Sequence, residues 1–161
     1  MVYMPTDMTL QLLLTTSGQT EQLGEHIGRN LRGGEVIELI SDLGGGKTTL
    51  TRGIARGAGS TDKVASPSFT MSREYETPHF TIMHFDLYRL ATAGVVGEEL
   101  REFVSDVHYV TVVEWAAVAE EVLPASRMTI TISKTANEDE RSCDVRYPAA
   151  YKYLLKGYKV E

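Results

Sequence analysis

Cysteine is almost absent from this chain, which carries only Cys143. One thiol excludes an internal disulfide and every zinc or iron–sulfur pattern built from spaced cysteines, and it makes a reducing cytosol the default location. His26, His79, His84 and His108 lack metal-ligand spacing, so no zinc site is expected. Long apolar runs are missing too. No segment approaches the roughly eighteen uninterrupted apolar residues of a membrane helix, and Met1 to Gln11 has no cationic stretch leading into an apolar one, which argues against a span and a signal peptide. Positive charge is in deficit: 16 Lys and Arg stand against 22 Asp and Glu, a formal net charge of -6. Nucleic-acid phosphates demand a concentrated Lys/Arg surface, so contact with RNA should run mainly through a partner. The sequence also shows no repeat, linker or low-complexity segment. What remains is 161 residues, 42% of them hydrophobic. That suits one domain over 1–161, with 1–8 and 157–161 as peripheral tails, and a compact fold of this length buries roughly 70% of its unfolded surface.

The elements are read from periodicity. Leu10, Leu12 and Leu14 alternate with Gln11, Leu13 and Thr15, which predicts an early strand. Thr20 is expected to cap a helix carrying Leu23, Ile27 and Leu31, with Gly33-Gly34 as its left-handed stop. Glu35 to Ile40 is a short apolar run, as expected of a central strand covered on both faces. From Lys47, the spacing of Leu50, Ile54 and Ala58 predicts a second helix ending near Gly57 and Gly59. Phe69 to Glu76 and Phe80 to Phe85 flank Thr77-Pro78-His79 as a hairpin. A helix over Glu98 to Val107 and an apolar strand over Tyr109 to Val113 follow. Arg127 to Ser133 and Ser142 to Tyr147 form a last hairpin around a polar loop, and Ala149 to Lys156 is a closing helix. Helices interleaved with apolar strands give an α/β fold, its central sheet mostly parallel and flanked by helices, with antiparallel hairpin additions.

Ser41-Asp42-Leu43-Gly44-Gly45-Gly46-Lys47-Thr48-Thr49 lies between a predicted strand and a predicted helix, the context required of a P-loop. Such a loop turns several backbone N–H groups inward against a phosphate and sets its charge at a positive helix end. Lys47 would reach the β- and γ-phosphates of a nucleotide, the Thr48 hydroxyl would hold Mg²⁺, and Thr49 would support the same turn. The usual pattern is GxxxxGK(S/T), and its first position here is Ser41. Gly44 and Gly45 give the loop freedom, so the cradle is expected to survive with altered entry geometry.

Three further segments line up with this loop: Ser66-Pro67-Ser68-Phe69-Thr70, His84-Phe85-Asp86-Leu87-Tyr88-Arg89-Leu90 and Val113-Glu114-Trp115. Together they resemble the TsaE (YjeE) family from about Ser17 to Arg141, in the same order and at similar spacings. The resemblance implies a single P-loop ATPase domain that binds ATP and Mg²⁺. It implies a subunit working in the threonylcarbamoyladenosine modification of tRNA at adenosine 37, with TsaB and TsaD subunits as partners and transfer to tRNA carried out by TsaD. The chain departs from the family pattern at Ser41, at Gly45 where Ala is usual, and at Ala116-Ala117 where Pro and an acidic residue often follow the tryptophan.

The resemblance puts Asp86 in the active site, where a carboxylate closing a strand beside a P-loop coordinates magnesium or orders water; without its neighbours it would read as a turn residue capping Leu87 to Leu90. Glu114, after the apolar run Val110 to Val113, reads as a Walker B acid or as a surface glutamate beyond a strand. Which of the two carboxylates touches magnesium directly stays open. Thr70 or Ser68 would sense the γ-phosphate if Ser66 to Thr70 is a switch, and would otherwise belong to a loop-to-strand junction. Trp115 packs beside the nucleotide or in the core, Arg141 approaches ATP or is a solvated charge, and Ser17 and Thr20 are candidates for contact near the base. Tyr151, Tyr153 and Tyr158 interleave with Lys152, Lys156 and Lys159, more in keeping with a packed terminal helix than with stacking on RNA. The leading function is an ATP-hydrolysing accessory subunit, slow without partners. A small P-loop kinase and a nucleotide-dependent assembly module with little turnover are the alternatives. A GTPase is disfavoured because no Asn-Lys-x-Asp segment is present.

Overall fold

The computed structural model describes residues 7–42, 44–67 and 70–160. The chain runs β1 (Met8–Leu14), α1 (Ser17–Asn30), β2 (Val36–Ile40), α2 (Lys47–Gly57), β3 (Ser72–Glu76), β4 (Thr81–Asp86), α3 (Gly94–Val104), β5 (Tyr109–Glu114), β6 (Met128–Lys134) and β7 (Arg141–Tyr147). Short 3₁₀ helices cover Ala116–Ala119 and Ala149–Leu155. The strands form one seven-stranded sheet in the order β1-β7-β6-β2-β5-β4-β3. Pairing is parallel from β6 through β2 and β5 to β4, and antiparallel where β7, β1 and β3 are added. This is the α/β architecture expected, with a parallel centre and hairpin edges.

Strand periodicity divides the core. Side chains two apart leave one face of a sheet. Ile37, Leu39, Ile82, Val110 and Val112 pack on the side of α1 and α2, while Val36, Met83, Phe85 and Val113 pack with Leu100 of α3. By the same alternation Asp86 and Glu114 leave the α2 face, and the register sets these two residues directly opposite each other on neighbouring parallel strands. Helices α1 and α2 approach backbone to backbone. A Cβ on Gly28 would lie 2.1 Å from the Ile54 carbonyl oxygen, and one on Gly57 would lie 2.1 Å from that of Glu25, so only glycine admits this crossing. The packing continues toward the helix starts, where a Cβ on Gly24 would lie 2.3 Å from the Leu50 carbonyl oxygen and one on Gly46 would lie 4.0 Å from Thr20 Cγ2, beside the glycine-rich loop.

Several boundaries differ from the sequence expectation. Thr16, not Thr20, caps α1: its Oγ1 accepts from the Gln19 N–H at 3.1 Å, and Gln19 Oε1 accepts from the Thr15 N–H at 2.7 Å. Thr20, one turn further on, is buried inside the helix. Gly33 and Gly34 are left-handed as expected, yet they shape the turn into β2, because α1 has already ended at Asn30. Helix α3 starts at Gly94 and ends at Val104, four residues earlier at its start than its apolar spacing suggested; Asp106 accepts from the His108 N–H and turns the chain into β5. Met8 already belongs to β1, and the closing helix is 3₁₀. Tyr158 packs on His26 with ring centroids 5.3 Å apart, and Tyr151 and Tyr153 lie against the core. Among the described residues no helix is long and apolar enough to cross a membrane.

Candidate functional site

Strand β2 is buried up to Leu39 and emerges at Ile40, where the chain enters the glycine-rich loop and then α2. Gly44 (φ 74°) and Gly46 (φ 111°) supply the left-handed turns that bring the loop back onto the helix axis. Gly46 is the residue before α2 and contributes no side-chain cap, so the positive end of the helix faces the loop. Lys47 is only 8% exposed, and its Nζ donates to the Ser41 carbonyl at 2.9 Å and more weakly to that of Asp42 at 3.5 Å. The ammonium also lies 4.9 Å from the Trp115 ring centroid. Leu43 lies outside the described residues.

Two of the departures from the usual loop pattern fit each other. A Cβ built on Gly45 would come within 2.3 Å of Ser41 Oγ and 2.8 Å of Ser41 Cβ. The Ser41 side chain, whose hydroxyl donates to the Asp42 carbonyl at 2.8 Å, therefore occupies the space that an alanine methyl at 45 would fill. A serine at the first position calls for a glycine at the fifth.

Two cavities flank the loop. One, of about 370 Å³, lies between Thr15, Thr16, Ser17 and Thr20 of the α1 start and Glu138, Asp139 and Arg141 of the β6–β7 turn. The other, of about 330 Å³, is lined by Lys47, Thr48, Ser66, Asp86, Glu114 and Trp115. Gly44, Gly45, Gly46 and Thr49 line both. The candidate residues are thus divided: Ser17, Thr20 and Arg141 go to the first cavity, and Lys47, Thr48, Asp86, Glu114 and Trp115 to the second. Asp42 lines neither and acts through its carbonyl, which also accepts from the Gly45 N–H at 3.0 Å. Thr70 lines neither; its hydroxyl donates to the Ser72 carbonyl at 3.0 Å. Ser66 is the residue of its segment that reaches the second cavity, while Ser68 and Phe69 lie outside the described residues.

Asp86 and Glu114 are 6% and 2% exposed. Asp86 fills both of its sequence readings at once, because Oδ1 accepts from the Tyr88 N–H at 3.0 Å while the residue lines the second cavity. The main chain locks the two strand ends together: the Leu87 N–H donates to the Glu114 carbonyl at 3.1 Å, and the Asp86 N–H donates to the Met71 carbonyl at 2.9 Å. Met71 and Trp115 are the non-glycine residues with positive φ among the described residues, at 63° and 56°. Trp115 lines this cavity and Met71 holds the Asp86 N–H beside it, so both left-handed turns adjoin the site. The turn at Trp115 leaves the indole 37% exposed, with the Tyr88 ring 4.9 Å away, instead of in the core.

The donor set decides what the second cavity could hold. Thr48, Asp86 and Glu114 offer hard oxygens only, and no group of three or more His, Cys, Asp or Glu suited to a metal occurs among the described residues. Two carboxylates and a hydroxyl suit Mg²⁺ that takes its remaining ligands from phosphate and water, and they suit zinc poorly. Two buried carboxylates side by side are costly without a compensating cation. In the first cavity the Arg141 guanidinium donates from Nε to the Gly45 carbonyl at 3.3 Å and from Nη1 to the Glu138 and Glu140 carbonyls. Sequence reasoning missed Thr15, Thr16, Glu138 and Asp139, which sit on a cap and in a polar turn with no motif. It also missed His84 and Tyr75, although the spacing of His84 from Asp86 on a strand puts both on one face.

A model of the family described as threonylcarbamoyl adenosine biosynthesis protein TsaE matches residues 14–143. A tRNA threonylcarbamoyladenosine biosynthesis protein TsaE of Bacillus subtilis is 41% identical over 112 residues, which cover 67% of this chain and 66% of the relative. The protein of the same name from Rickettsia bellii is 31% identical over 137 residues, covering 84% of this chain and 93% of that one. Among solved structures, YdiB of Bacillus subtilis superposes with a TM-score of 0.76 at 29% identity, over 96% of this chain and 95% of the other. With a family model spanning both cavities and relatives in distant bacteria, the chain belongs to the TsaE family of tRNA threonylcarbamoyladenosine biosynthesis proteins.

Proposed function

We propose that this protein binds and hydrolyses ATP, and that hydrolysis serves a complex of TsaB and TsaD subunits that transfers the threonylcarbamoyl group to adenosine 37 of tRNA. The observation that carries the reading is the meeting of Lys47 and Thr48 with the paired carboxylates Asp86 and Glu114 around one cavity. The polyphosphate would lie along the loop amides and the start of α2, and Lys47 would exchange the Ser41 and Asp42 carbonyls for phosphate oxygens. Thr48 with one of Asp86 and Glu114 would hold Mg²⁺, which when bound offsets charge on the β- and γ-phosphates. The carboxylate not engaged by the ion would orient water for attack on the γ-phosphorus, the bond to the bridging oxygen breaking to leave ADP and phosphate.

The adenosine end would occupy the first cavity, which is continuous with the shared glycines and bounded by Ser17, Thr20 and Arg141. ATP is preferred to GTP because no Asn-Lys-x-Asp segment is present to read guanine. Among the described residues that line the two cavities Arg141 is the one arginine, and main-chain carbonyls hold it, which argues against the mobile arginine-bearing lid of a kinase. The steric fit of Ser41 against Gly45 supports an intact phosphate loop despite the serine at its first position. A net charge of -6 leaves tRNA to the partners. The test is ATP consumption by the protein alone, with candidate acceptors, and with partner subunits plus tRNA. Slow turnover alone and faster turnover in the full mixture is expected; phosphate transfer to a small acceptor would replace this reading with the kinase.

A further inference from the structure

His84 is fully buried and has no part in the chemistry proposed above. It lies two residues before Asp86 on β4, and the parallel register sets Glu114 diagonally beside it on the same face. Its Nε2 is 3.8 Å from Glu114 Oε1 and has no hydrogen-bond partner among the described residues. A buried ring nitrogen left unpaired is costly, and a small displacement of the carboxylate would close the gap. On its other side Nδ1 lies 3.1 Å from the Tyr75 hydroxyl, which in turn donates to the Ala65 carbonyl at 3.0 Å. Ala65 precedes Ser66, which lines the second cavity together with Glu114.

We propose that His84 is a positioning residue that couples the Glu114 carboxylate to the anchorage of Ala65 and Ser66 through the Tyr75 hydroxyl. The coupling follows from a count of hydrogens and rests on the reading of Glu114 as a site carboxylate. Tyr75 has one hydroxyl hydrogen, and burial pushes its phenol pKa up, so that hydrogen stays. When it points to Ala65, the phenol oxygen accepts from Nδ1–H of a neutral ring, and Nε2 presents a lone pair to Glu114. Two acceptors then face each other, which keeps the carboxylate off the histidine and turned toward the cavity. When the ring hydrogen sits on Nε2 instead, Glu114 gains a donor, Nδ1 becomes an acceptor, and the Tyr75 hydrogen leaves Ala65 for it. The number of hydrogens is unchanged and the two contacts are mutually exclusive. Glu114 engaged in the cavity goes with Ala65 held, and Glu114 drawn back to His84 goes with Ala65 released.

Nucleotide-free wild type, Glu114→Gln, Tyr75→Phe and the double variant test this by NMR, reading the imidazole ¹⁵N shifts of His84 and the carbonyl ¹³C shift of Ala65. An amide at 114 pairs with Nε2 either as donor or as acceptor and so fixes one tautomer, and Glu114→Gln should move the Ala65 carbonyl downfield with hydrogen on Nδ1 or upfield with hydrogen on Nε2. Tyr75→Phe should move that carbonyl upfield, and adding Glu114→Gln should then change it no further. Should Tyr75→Phe fail to fold, His84→Gln, which keeps a donor toward Glu114 and removes Nδ1, must abolish the Ala65 response in the same way. An Ala65 shift that answers Glu114→Gln equally without the Tyr75 hydroxyl, or does not answer it at all, overturns the proposal. So does a ring carrying hydrogen on both nitrogens in wild type and variant alike. No arm contains nucleotide, so failure here leaves the ATPase reading standing, and absence of ATP binding leaves this coupling standing.

Discussion

The two cavities beside the glycine-rich loop are nearly equal in size, about 370 and 330 Å³, and differ in what holds their walls. The carboxylates of the second sit on the ends of parallel strands, with side chains almost fully buried and main chains locked by Leu87–Glu114 and Asp86–Met71 bonds. The walls of the first come from a helix cap and a hairpin turn, where Glu138 and Asp139 are exposed and Arg141 is held by main-chain carbonyls. Reacting groups need positions fixed to a fraction of an ångström, which strand ends supply, whereas holding the rest of a ligand tolerates looser elements. Loss of a carboxylate from the second cavity should therefore cost turnover, and loss of a group from the first should cost affinity.

The loop shared by both cavities should break the comparison altogether. Lys47→Ala and Thr48→Ala are expected to abolish productive Mg-ATP binding in a calorimetric titration while the fold survives, since neither side chain belongs to the apolar core. Next in size, Asp86→Asn and Glu114→Gln should keep nucleotide affinity within a few-fold and lose about two to three decades of turnover, a few kcal/mol of transition-state stabilisation. Single-turnover hydrolysis checks this, and normal hydrolysis in either variant makes that residue structural.

A smaller effect belongs to the loop's steric pair. Gly45→Ala alone should weaken nucleotide binding or lower the melting temperature, by about 1–3 kcal/mol of overpacking against Ser41. Adding Ser41→Gly should recover most of it, and a double-mutant cycle with no coupling would contradict the fit seen at 2.3 Å. The smallest change is Arg141→Ala, expected to weaken ATP binding about tenfold, as for a lost charge-assisted contact, with turnover at saturation unchanged. A fall in saturated turnover instead would place Arg141 in the chemistry and erase the distinction between the cavities.

The parts of this structure legible in the sequence are those where one period dominates. The apolar run into β2, the alternation in β6 and β7 and the four-residue spacing of α2 each admit one reading, and the structure has them within a residue or two. Legibility failed where two residues of like chemistry compete, as Thr16 and Thr20 did for the cap of α1: both suit the role, and only tertiary packing buried the second. It failed again at α3, whose start at Gly94 carries no cap signal. In the site, Lys47, Thr48, Asp86 and Glu114 were readable because the loop and strand ends bear motifs, and the sheet does bring them to one cavity. Between its two readings Thr70 could not be placed from sequence, because its hydroxyl's direction is set by a local bond to Ser72 that no spacing reveals. Tyr75 and His84 were invisible for a different reason: their link crosses two strands, and only the register brings them together.

The central claim is that the nucleotide chemistry of Lys47 serves tRNA modification carried out by partner subunits. Multiple-turnover threonylcarbamoylation of tRNA by TsaB and TsaD, measured with the wild-type protein, with the Lys47→Ala variant and with neither, tests it most directly. Repeated turnover is expected only with wild type, and at most a first round in the other two reactions. Equal modification in all three would contradict it.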